Sequence, residues 1–204
     1  MRCKMLRATI INYGVGNFFS VSNALKRLGI DVRILSEPTG SEDLVVLPGV
    51  GGFKAAMETL REKSQKIIDA AESGQVILGV CLGLQLLFDW SAEGKCNGLS
   101  IVPGKVILLP DNVKRPHMGW SQLQIEREDS KLLEGIGNGA WVYFNHSYHA
   151  IPEDRDVIAA TALYGVRFTA VVEKDGILGT QFHPEKSGKT GAKILGNILK
   201  ILRK

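Results

Sequence analysis

The sequence predicts an α/β fold in which a mainly parallel central sheet lies between two layers of helices. In the first half, short apolar runs alternate with stretches that have the apolar period of an amphipathic helix. Two of the runs, Leu44–Leu47 and Val76–Val80, are almost continuously apolar, as is typical of parallel strands covered on both faces. Glycine is abundant, with 23 residues, and aromatic residues make up only 7%. This composition favours an α/β protein with many tight turns over a β-sandwich.

Alternating strands and helices are predicted along the first half. The turn Gly14-Val15-Gly16 ends the first strand, Asn17 begins the first helix and Gly29 closes it. This order places helices on both sides of a parallel sheet. The predicted elements are strands at 8–13, 31–35, 44–47 and 76–80, a helix from 17 to about 28, and helices at 53–62 and 65–72.

The second half is predicted to be richer in strands. Asp175-Gly176 lies between two apolar segments and favours the type I′ turn of a hairpin. A last amphipathic helix is predicted from about Thr190 to Leu202, and strands are predicted at 100–109, 121–125, 141–150 and 157–163. Because no repeat, low-complexity tract or linker interrupts the chain, we expect one domain over residues 1–204.

Composition excludes several classes of function. The net charge is only +4, and the basic residues are scattered, which argues against nucleic-acid binding. The three cysteines, Cys3, Cys81 and Cys96, are an odd number without CxxC or zinc-like spacing, so we expect no disulfide framework and a reducing compartment. No apolar run reaches the ~18 residues of a membrane span, and the N-terminus lacks the features of a signal peptide. A cytoplasmic protein without membrane contact is therefore expected.

The first candidate catalytic motif is Gly79-Val80-Cys81-Leu82-Gly83. It has the glycine-flanked pattern of a nucleophile elbow and lies where a buried strand turns into a helix. In such a turn the next residue's N–H points at the developing oxyanion, and the helix N-terminus stabilises a thiolate. A buried structural cysteine at the end of a strand is the alternative interpretation.

The second motif is Gln181-Phe182-His183-Pro184-Glu185. A His and a Glu two residues apart can lie on the same side of the chain, so that the carboxylate holds one imidazole nitrogen while the other faces a thiol. A surface turn is the alternative for this motif taken alone. Together with an elbow cysteine, it indicates a Cys81–His183–Glu185 triad.

The third motif is the glycine-rich loop at 48–53, which follows the strand Leu44–Leu47. Dense glycine lets backbone N–H groups approach a small ligand closely, as an oxyanion hole requires. A simple turn is the alternative. A phosphate loop is disfavoured because no Gly-Lys-Ser/Thr follows, and Gly14-Val15-Gly16 lacks the third glycine of a dinucleotide fingerprint.

Together these motifs resemble the class I glutamine amidotransferases. The resemblance rests on Gly-Val-Cys-Leu-Gly-Leu-Gln at 79–85, Pro-Gly-Val-Gly at 48–51 and Gln-Phe-His-Pro-Glu at 181–185. Further stretches are similar to one subfamily, the glutaminase subunits of histidine biosynthesis. These stretches are 12–17, Pro-His-Met-Gly-Trp at 116–120, 144–148 and Lys186-Ser187. The resemblance therefore covers nearly the whole chain and implies a three-layer, flavodoxin-like fold.

The resemblance implies a role for each catalytic position. Cys81 is expected to form a thioester with L-glutamine, with His183 as acid and base and Glu185 holding the histidine tautomer. The N–H of Leu82 and one from the segment Val50-Gly51 are expected to bind the oxyanion.

The resemblance also implies contacts with the substrate. Gln85 and Glu93 are expected to hold the amino-acid end of glutamine, together with the backbone of Ser147 and Tyr148. No metal or organic cofactor is implied.

A partner surface is implied by the same resemblance. Met118, Trp120, Tyr143 and Lys186 are expected to face a cyclase subunit that receives the ammonia in a heterodimer. Without the resemblance, the aromatic residues could be core and Lys186 a solvated charge.

Other residues are left with a structural interpretation or depart from the family. His117 and His146 are interpreted as satisfied core histidines. Asn12 stands where the family often has Asp, and Ser121 where it often has Asn, next to the stretch 116–120 that is expected to face the partner.

Other functions remain open from the sequence. Glutaminase subunits of anthranilate or pyridoxal phosphate synthesis share the triad, but the stretch 116–120 argues against both. A Cys-dependent peptidase or γ-glutamyl hydrolase uses the same triad logic. A non-catalytic relative is expected to have lost Cys81 or His183, and both are present.

Overall fold

The described part of the chain, residues 5–14 and 16–203 of a computed structural model, is built around two sheets. Cys3 and Val15 lie outside it. The strands are β1 Arg7–Ile11, β2 Asp31–Leu35, β3 Leu44–Leu47, β4 Val76–Val80, β5 Phe88–Ser91, β6 Cys96–Asn97, β7 Val102–Leu108, β8 His117–Ile125, β9 Trp141–His146, β10 Tyr148–Pro152, β11 Ile158–Tyr164, β12 Val166–Lys174 and β13 Ile177–Thr180. The α-helices are α1 Phe18–Lys26, α2 Phe53–Leu60, α3 Ser64–Glu72, α4 Leu82–Leu86 and α5 Gly188–Leu202, and short 3₁₀ helices span Arg155–Val157 and Pro184–Lys186.

The larger sheet is mixed, with a parallel half and an antiparallel half. Its nine strands follow the order β2-β1-β3-β4-β13-β12-β11-β8-β9. The pairs from β2 to β13 are parallel, and those from β13 to β9 are antiparallel. The parallel half has the strand order of flavodoxin-like folds. The predicted α/β class is confirmed, and the antiparallel half extends the sheet on one side.

Both faces of the parallel half are buried, which explains its continuous apolar strands. Along β3, Leu44 and Val46 pack into one hydrophobic cluster with α1 and α5, while Val45 and Leu47 pack into a second with α2, α3 and α4. The smaller sheet, β10-β7-β5-β6, covers the second face as well. Each fully buried Leu or Val side chain stabilises the fold by about 1.5–3 kcal/mol. The predicted three layers are therefore observed.

Local sequence signals set several of the predicted boundaries. Asn17 caps α1, because its side chain accepts a hydrogen bond from the N–H of Ser20 at 3.2 Å. Gly29, with φ +79°, follows the end of this helix, as predicted. Asp175 and Gly176 have φ values of +47° and +84°, as the predicted type I′ turn requires.

Other boundaries differ from the predictions for physical reasons. The strand predicted at 8–13 ends at Ile11, because the Asn12 side chain accepts from the N–H of Gly14 and turns the chain. The strand predicted at 141–150 is two strands interrupted at Ser147, where the chain passes from one sheet to the other. The strand predicted at 121–125 begins earlier, at His117, and the short strands β5 and β6 were not predicted.

None of the helices in the described ranges combines the length and the apolar character that crossing a lipid bilayer demands.

Candidate active site

Cys81 lies at the end of β4 in a strained turn. Its φ of +54° and ψ of −103° are unusual for a residue with a side chain, and such a conformation costs on the order of 1–3 kcal/mol. The backbone N–H of Cys81 donates to the carbonyl of Thr180 at 2.7 Å, which fixes the turn against β13. The predicted elbow geometry is therefore present.

The flanking glycines are needed because the turn is tightly packed. A Cβ at Gly79 would lie 2.7 Å from the carbonyl oxygen of Gly83, and one at Gly83 would lie 1.8 Å from that of Leu47. The helix after Cys81 has only five residues, so it carries less partial charge at its N-terminus than the sequence led us to expect.

The glycine-rich loop lies directly against the elbow. A Cβ at Gly49 would lie 2.2 Å from the carbonyl oxygen of Val80 and 2.3 Å from the nitrogen of Leu82. Gly51, with φ +125°, adopts a conformation that favours glycine. The backbone of residues 49–51 is thereby brought next to the turn that holds Cys81.

His183 is oriented by Glu185. The Nδ1 atom of His183 donates to Glu185 Oε1 at 2.9 Å, and the two side chains are 1% and 2% exposed. Burial opposes the charged imidazolium, but the Cys81 side chain and Glu185 outweigh it and raise the pKa of His183 to about 9. His183 Nε2 is buried without a hydrogen bond of ordinary geometry, although Cys81 is near enough to contribute to this pKa.

The backbone of His183 is anchored to β9. Its N–H donates to the carbonyl of Tyr143 at 3.0 Å. The hydroxyl of Ser187 donates to the His183 carbonyl at 2.7 Å and accepts from the N–H of Tyr143 at 3.0 Å. Neither contact with Ser187 was predicted from the sequence, although the residue belongs to the Lys-Ser tail of the histidine motif.

A cavity of about 250 Å³ opens at Cys81. It is smaller than the ~300–1,000 Å³ of pockets for drug-sized ligands, so it suits a compact molecule such as a free amino acid. All seven predicted oxyanion and substrate-binding residues line it with Cys81, and so do three residues that were not predicted to bind substrate. The lining consists of Val50, Gly51, Cys81, Leu82, Gln85, Glu93, Pro116, Asn145, His146, Ser147 and Tyr148.

Gln85 connects the lining of this cavity to the buried Gln181. Its Nε2 atom donates to the carbonyl of Tyr148 at 2.8 Å and to Gln181 Oε1 at 3.1 Å. Gln181 is fully buried, and its own Nε2 lies 3.7 Å from Cys81 Sγ. The thiol also donates to the carbonyl of Asn145 at 3.5 Å. Gln181 was not predicted as a site residue, and its place as the first residue of the histidine motif, directly after an apolar strand, was the available signal.

Glu93 supplies a carboxylate to the cavity. The residue is half-buried, and this burial raises the pKa of Glu93, while a hydrogen bond from the N–H of Phe53 opposes the shift. The described residues contain no group of three or more His, Cys, Asp or Glu side chains arranged to hold a metal ion.

Three of the four predicted partner residues, Met118, Trp120 and Tyr143, lie on one face of the β8–β9 pair. Met118 is opposite Asn145 and Trp120 is opposite Tyr143, so all four side chains are on the same side of the sheet. Met118 and Trp120 are 63% and 50% exposed, and the Trp120 ring contacts that of Tyr143 edge-on at 5.9 Å. Trp120 is therefore not a core residue. Since Asn145 also lines the cavity, the face reaches the active-site opening.

One cation–π contact and one further exposed aromatic residue extend this face. The Nζ atom of Lys186 lies 5.9 Å from the centre of the Tyr143 ring, within the range of a cation–π contact. Trp141, which was not predicted to be part of the surface, is 53% exposed and continues the same face next to Gln122.

Comparisons with known proteins agree with this geometry. The family described as "Glutamine amidotransferase class-I" matches residues 9–201. The chain belongs to the class I glutamine amidotransferase family, as the elbow and histidine motifs predicted.

Several relatives have one and the same name, imidazole glycerol phosphate synthase subunit HisH. The protein of this name from Sulfolobus acidocaldarius is 45% identical over 98% of this chain and 100% of its own length. The one from Methanothermobacter thermautotrophicus is 46% identical over 95% of this chain and 98% of its own. The one from Aquifex aeolicus is 46% identical over 94% of this chain and 95% of its own. The name describes one component of a complex.

Solved structures support the fold. A chain of PurLQS from Thermotoga maritima has a TM-score of 0.78 at 23% identity, covering 97% of this chain and 99% of that one. A glutamine amidotransferase from Thermotoga maritima has a TM-score of 0.76 at 15% identity, covering 99% of this chain and 100% of that one. At these identities the similarity concerns the fold alone.

Proposed function

We propose that the chain is the glutaminase subunit of imidazole glycerol phosphate synthase, which hydrolyses L-glutamine to L-glutamate and ammonia. The observation that carries the proposal is Cys81 on its strained turn at a small polar cavity, next to a buried His183 that Glu185 orients. Relatives of this name are 43–46% identical over nearly the whole chain, which supports the choice of pathway.

The reaction begins with the thiol of Cys81. The raised pKa of His183 favours an imidazolium, so the proton of the thiol moves to His183 and leaves a thiolate. The sulfur attacks the side-chain amide carbon of glutamine, and His183 returns the proton to the departing nitrogen. Ammonia leaves and a glutamyl thioester remains. His183 then takes a proton from water, which hydrolyses the thioester to glutamate and regenerates Cys81.

Backbone donors stabilise the negative oxygen that forms in both steps. The N–H of Leu82 and an N–H of the segment Val50-Gly51 provide the oxyanion hole, because both line the cavity at Cys81. Loss of one donor of this kind costs about 10²–10³ in kcat. Glu185 does not exchange protons in this scheme, since its hydrogen bond to Nδ1 only holds the tautomer that leaves Nε2 facing the thiol.

The opposite part of the cavity binds the amino-acid end of glutamine. Glu93 pairs with the α-ammonium group, and Gln85 orients the backbone of Ser147 and Tyr148 toward the ligand. Among the described residues, Glu93 is the one carboxylate that lines the cavity, and its charge complements the α-ammonium group of a free amino acid.

The ammonia passes to a partner cyclase in a heterodimer. The partner uses it to make imidazole glycerol phosphate and an aminoimidazole carboxamide ribonucleotide in histidine biosynthesis. The face formed by Met118, Trp120, Tyr143 and Lys186 binds this partner, because it is rich in exposed aromatic side chains and adjoins the cavity. The cytoplasm is the location in this proposal, since an unmodified Cys81 thiol is maintained by a reducing compartment. The whole chain 1–204 acts as one domain.

Glutaminase subunits of other pathways are the alternative. They share the family fold and the triad, but the named relatives above favour histidine biosynthesis. A peptidase is disfavoured because the cavity, at about 250 Å³, suits a single amino acid rather than an extended chain.

The test uses the complex of this chain with the cyclase of its own host. Cys81→Ala should abolish synthesis with glutamine while ammonium salts still support it, because the synthase site belongs to the partner. Cys96→Ala is the control: this cysteine is half-buried and does not line the cavity, so activity with glutamine should remain. Glutamine turnover by Cys81→Ala would contradict the mechanism, and failure of wild-type chain to support synthesis with that cyclase would contradict the pathway.

A further inference from the structure

Three side chains next to the cavity, outside the triad, form a row of hydrogen bonds. We propose that His117 and His146 are positioning residues for glutamine binding, because the row runs in one direction from the Ser121 hydroxyl to the Tyr148 carbonyl at the cavity wall. This inference rests on the glutaminase function proposed above and deepens it. Neither imidazole exchanges a proton with substrate in this role.

The direction of the row is set at the Tyr148 end. His146 Nδ1 lies 2.9 Å from the carbonyl oxygen of Tyr148, and a carbonyl only accepts, so Nδ1 carries the proton. Burial lowers the pKa of His146 to about 3, so the ring is neutral at physiological pH. A neutral imidazole with its proton on Nδ1 has a lone pair on Nε2. His146 therefore accepts a hydrogen bond on its other side.

His117 supplies that hydrogen bond. Its Nδ1 lies 3.2 Å from His146 Nε2 and must be the donor. Burial lowers the pKa of His117 to about 4, so this ring is neutral too, and its Nε2 accepts from the Ser121 hydroxyl at 3.0 Å. Ser121, which stands where the family often has Asn, therefore donates its hydroxyl hydrogen to His117.

The row of hydrogen bonds ends on the Tyr148 carbonyl, which also accepts a hydrogen bond from Gln85. The Tyr148 oxygen accepts from His146 on one side and from Gln85 Nε2 at 2.8 Å on the other. Two donors at one oxygen fix the orientation of this peptide group. Tyr148, His146 and Gln85 all line the cavity, so the peptide that binds the ligand is preorganised before glutamine arrives.

Removal of the Nδ1–H donor of His117 would disrupt this arrangement. Without a donor facing Nε2 of His146, the His146 ring can carry its proton on either nitrogen. The form with the proton on Nε2 cannot donate to the Tyr148 carbonyl. The backbone that contacts glutamine is then less well ordered, while the triad of Cys81, His183 and Glu185 keeps its own contacts. Binding of glutamine should suffer more than the chemical step.

Two substitutions of His117 separate positioning from packing. The ring stacks on Tyr164 at 4.0 Å and on Phe144 at 5.0 Å between centroids. His117→Phe keeps this stacking and removes the donor, whereas His117→Asn keeps a donor near the position of Nδ1 and removes the stacking. The variants are measured in the complex for KM and kcat with glutamine, for synthesis with ammonium salts, and for thermal midpoint.

The two variants should behave in opposite ways. We expect His117→Phe to keep a near wild-type thermal midpoint and raise KM for glutamine about tenfold with a smaller change in kcat, the effect of one lost hydrogen bond. His117→Asn should lower the thermal midpoint and keep KM within about twofold of wild type. Synthesis with ammonium salts should persist in both. An unchanged KM in His117→Phe, or a KM that rises with loss of thermal stability, would overturn the inference.

A measurement independent of activity completes the test. The chain has four histidines, so ¹⁵N labelling of histidine and NMR of the ring nitrogens resolves each tautomer. We expect His117 and His146 to carry their protons on Nδ1 in wild type, and His146 to lose this preference in His117→Phe. A proton on Nε2 of His146 in wild type would refute the row itself. If wild type hydrolysed no glutamine, the proposed function would fail, while this measurement would still decide the direction of the hydrogen bonds.

Discussion

Replacement of Gly49 by Ala tests the idea that the glycine loop must touch the elbow. A Cβ at this position would lie 2.2 Å from the carbonyl oxygen of Val80 and 2.3 Å from the Leu82 nitrogen, whereas real Cβ contacts are essentially never under 3.0 Å. Both neighbours are backbone atoms, so no side chain can move aside. The loop and the elbow must separate by about 1 Å, and a misplacement of this size at a catalytic site costs about 10²-fold in rate.

The assay is steady-state glutaminase activity of the complex, with ammonium-dependent synthesis as the measure of intact assembly. We expect Gly49→Ala to lower kcat about 10²-fold while synthesis with ammonium salts continues. Gly52→Ala is the matched control in the same loop, because its Cβ would meet only Glu93 Oε1 at an ordinary 3.5 Å. A Gly49→Ala enzyme with wild-type kcat, or an equal loss in Gly52→Ala, would refute the reasoning.

Two further predictions concern the anchoring of the base. Glu185→Gln should lower the pKa of His183 from about 9, because a neutral amide favours the imidazolium less, and NMR titration of the ring should detect it. In wild type, the raised pKa of His183 stabilises the folded state fully below pH 6.5, and this contribution is lost as the pH rises toward 9. The free energy of unfolding of the variant should therefore depend less on pH between 6.5 and 9. An unchanged titration of the ring would contradict the assignment. Ser187→Ala should lower the free energy of unfolding by about 1–3 kcal/mol, because the Tyr143 N–H and the His183 carbonyl each lose a partner. Denaturant unfolding measures this loss, and a variant as stable as wild type would show that the two groups find other partners.

Much of the fold could be predicted because it follows from local patterns. The continuous apolar runs of β3 and β4 reflect burial on both faces, and Asn17 and Asp175-Gly176 act within a few residues of their own position. The antiparallel half of the sheet was less predictable. The β12–β13 hairpin has a local turn signal, but β8 pairs with β9 and β11 across longer connections, and the break at Ser147 has no glycine or proline to mark it.

The candidate site also has features that the sequence predicts and features that it does not. Motifs that concentrate unusual residues, such as the elbow around Cys81 and the loop at 48–53, indicate their chemistry directly. Contacts made through backbone atoms do not depend on residue type in this way. Ser187 matters because it joins the carbonyl of His183 to the N–H of Tyr143, and nothing in a Lys-Ser pair predicts that geometry.

The mixed sheet explains how the proposed partner surface and the candidate active site can be neighbours. Cys81, the proposed nucleophile, follows β4 in the parallel half. The strand β13, which leads to His183, pairs with β4 on one side and with the antiparallel β12 on the other. The antiparallel half ends at β9, whose Tyr143 is hydrogen-bonded to the backbone of His183 while its ring lies on the exposed face. A protein bound to that face would therefore contact the strand that is hydrogen-bonded to the backbone of His183, the proposed base. If the sheet consisted of its parallel strands alone, β13 would be its edge strand. No other strand of the sheet would then connect the exposed face of Met118 and Trp120 to His183.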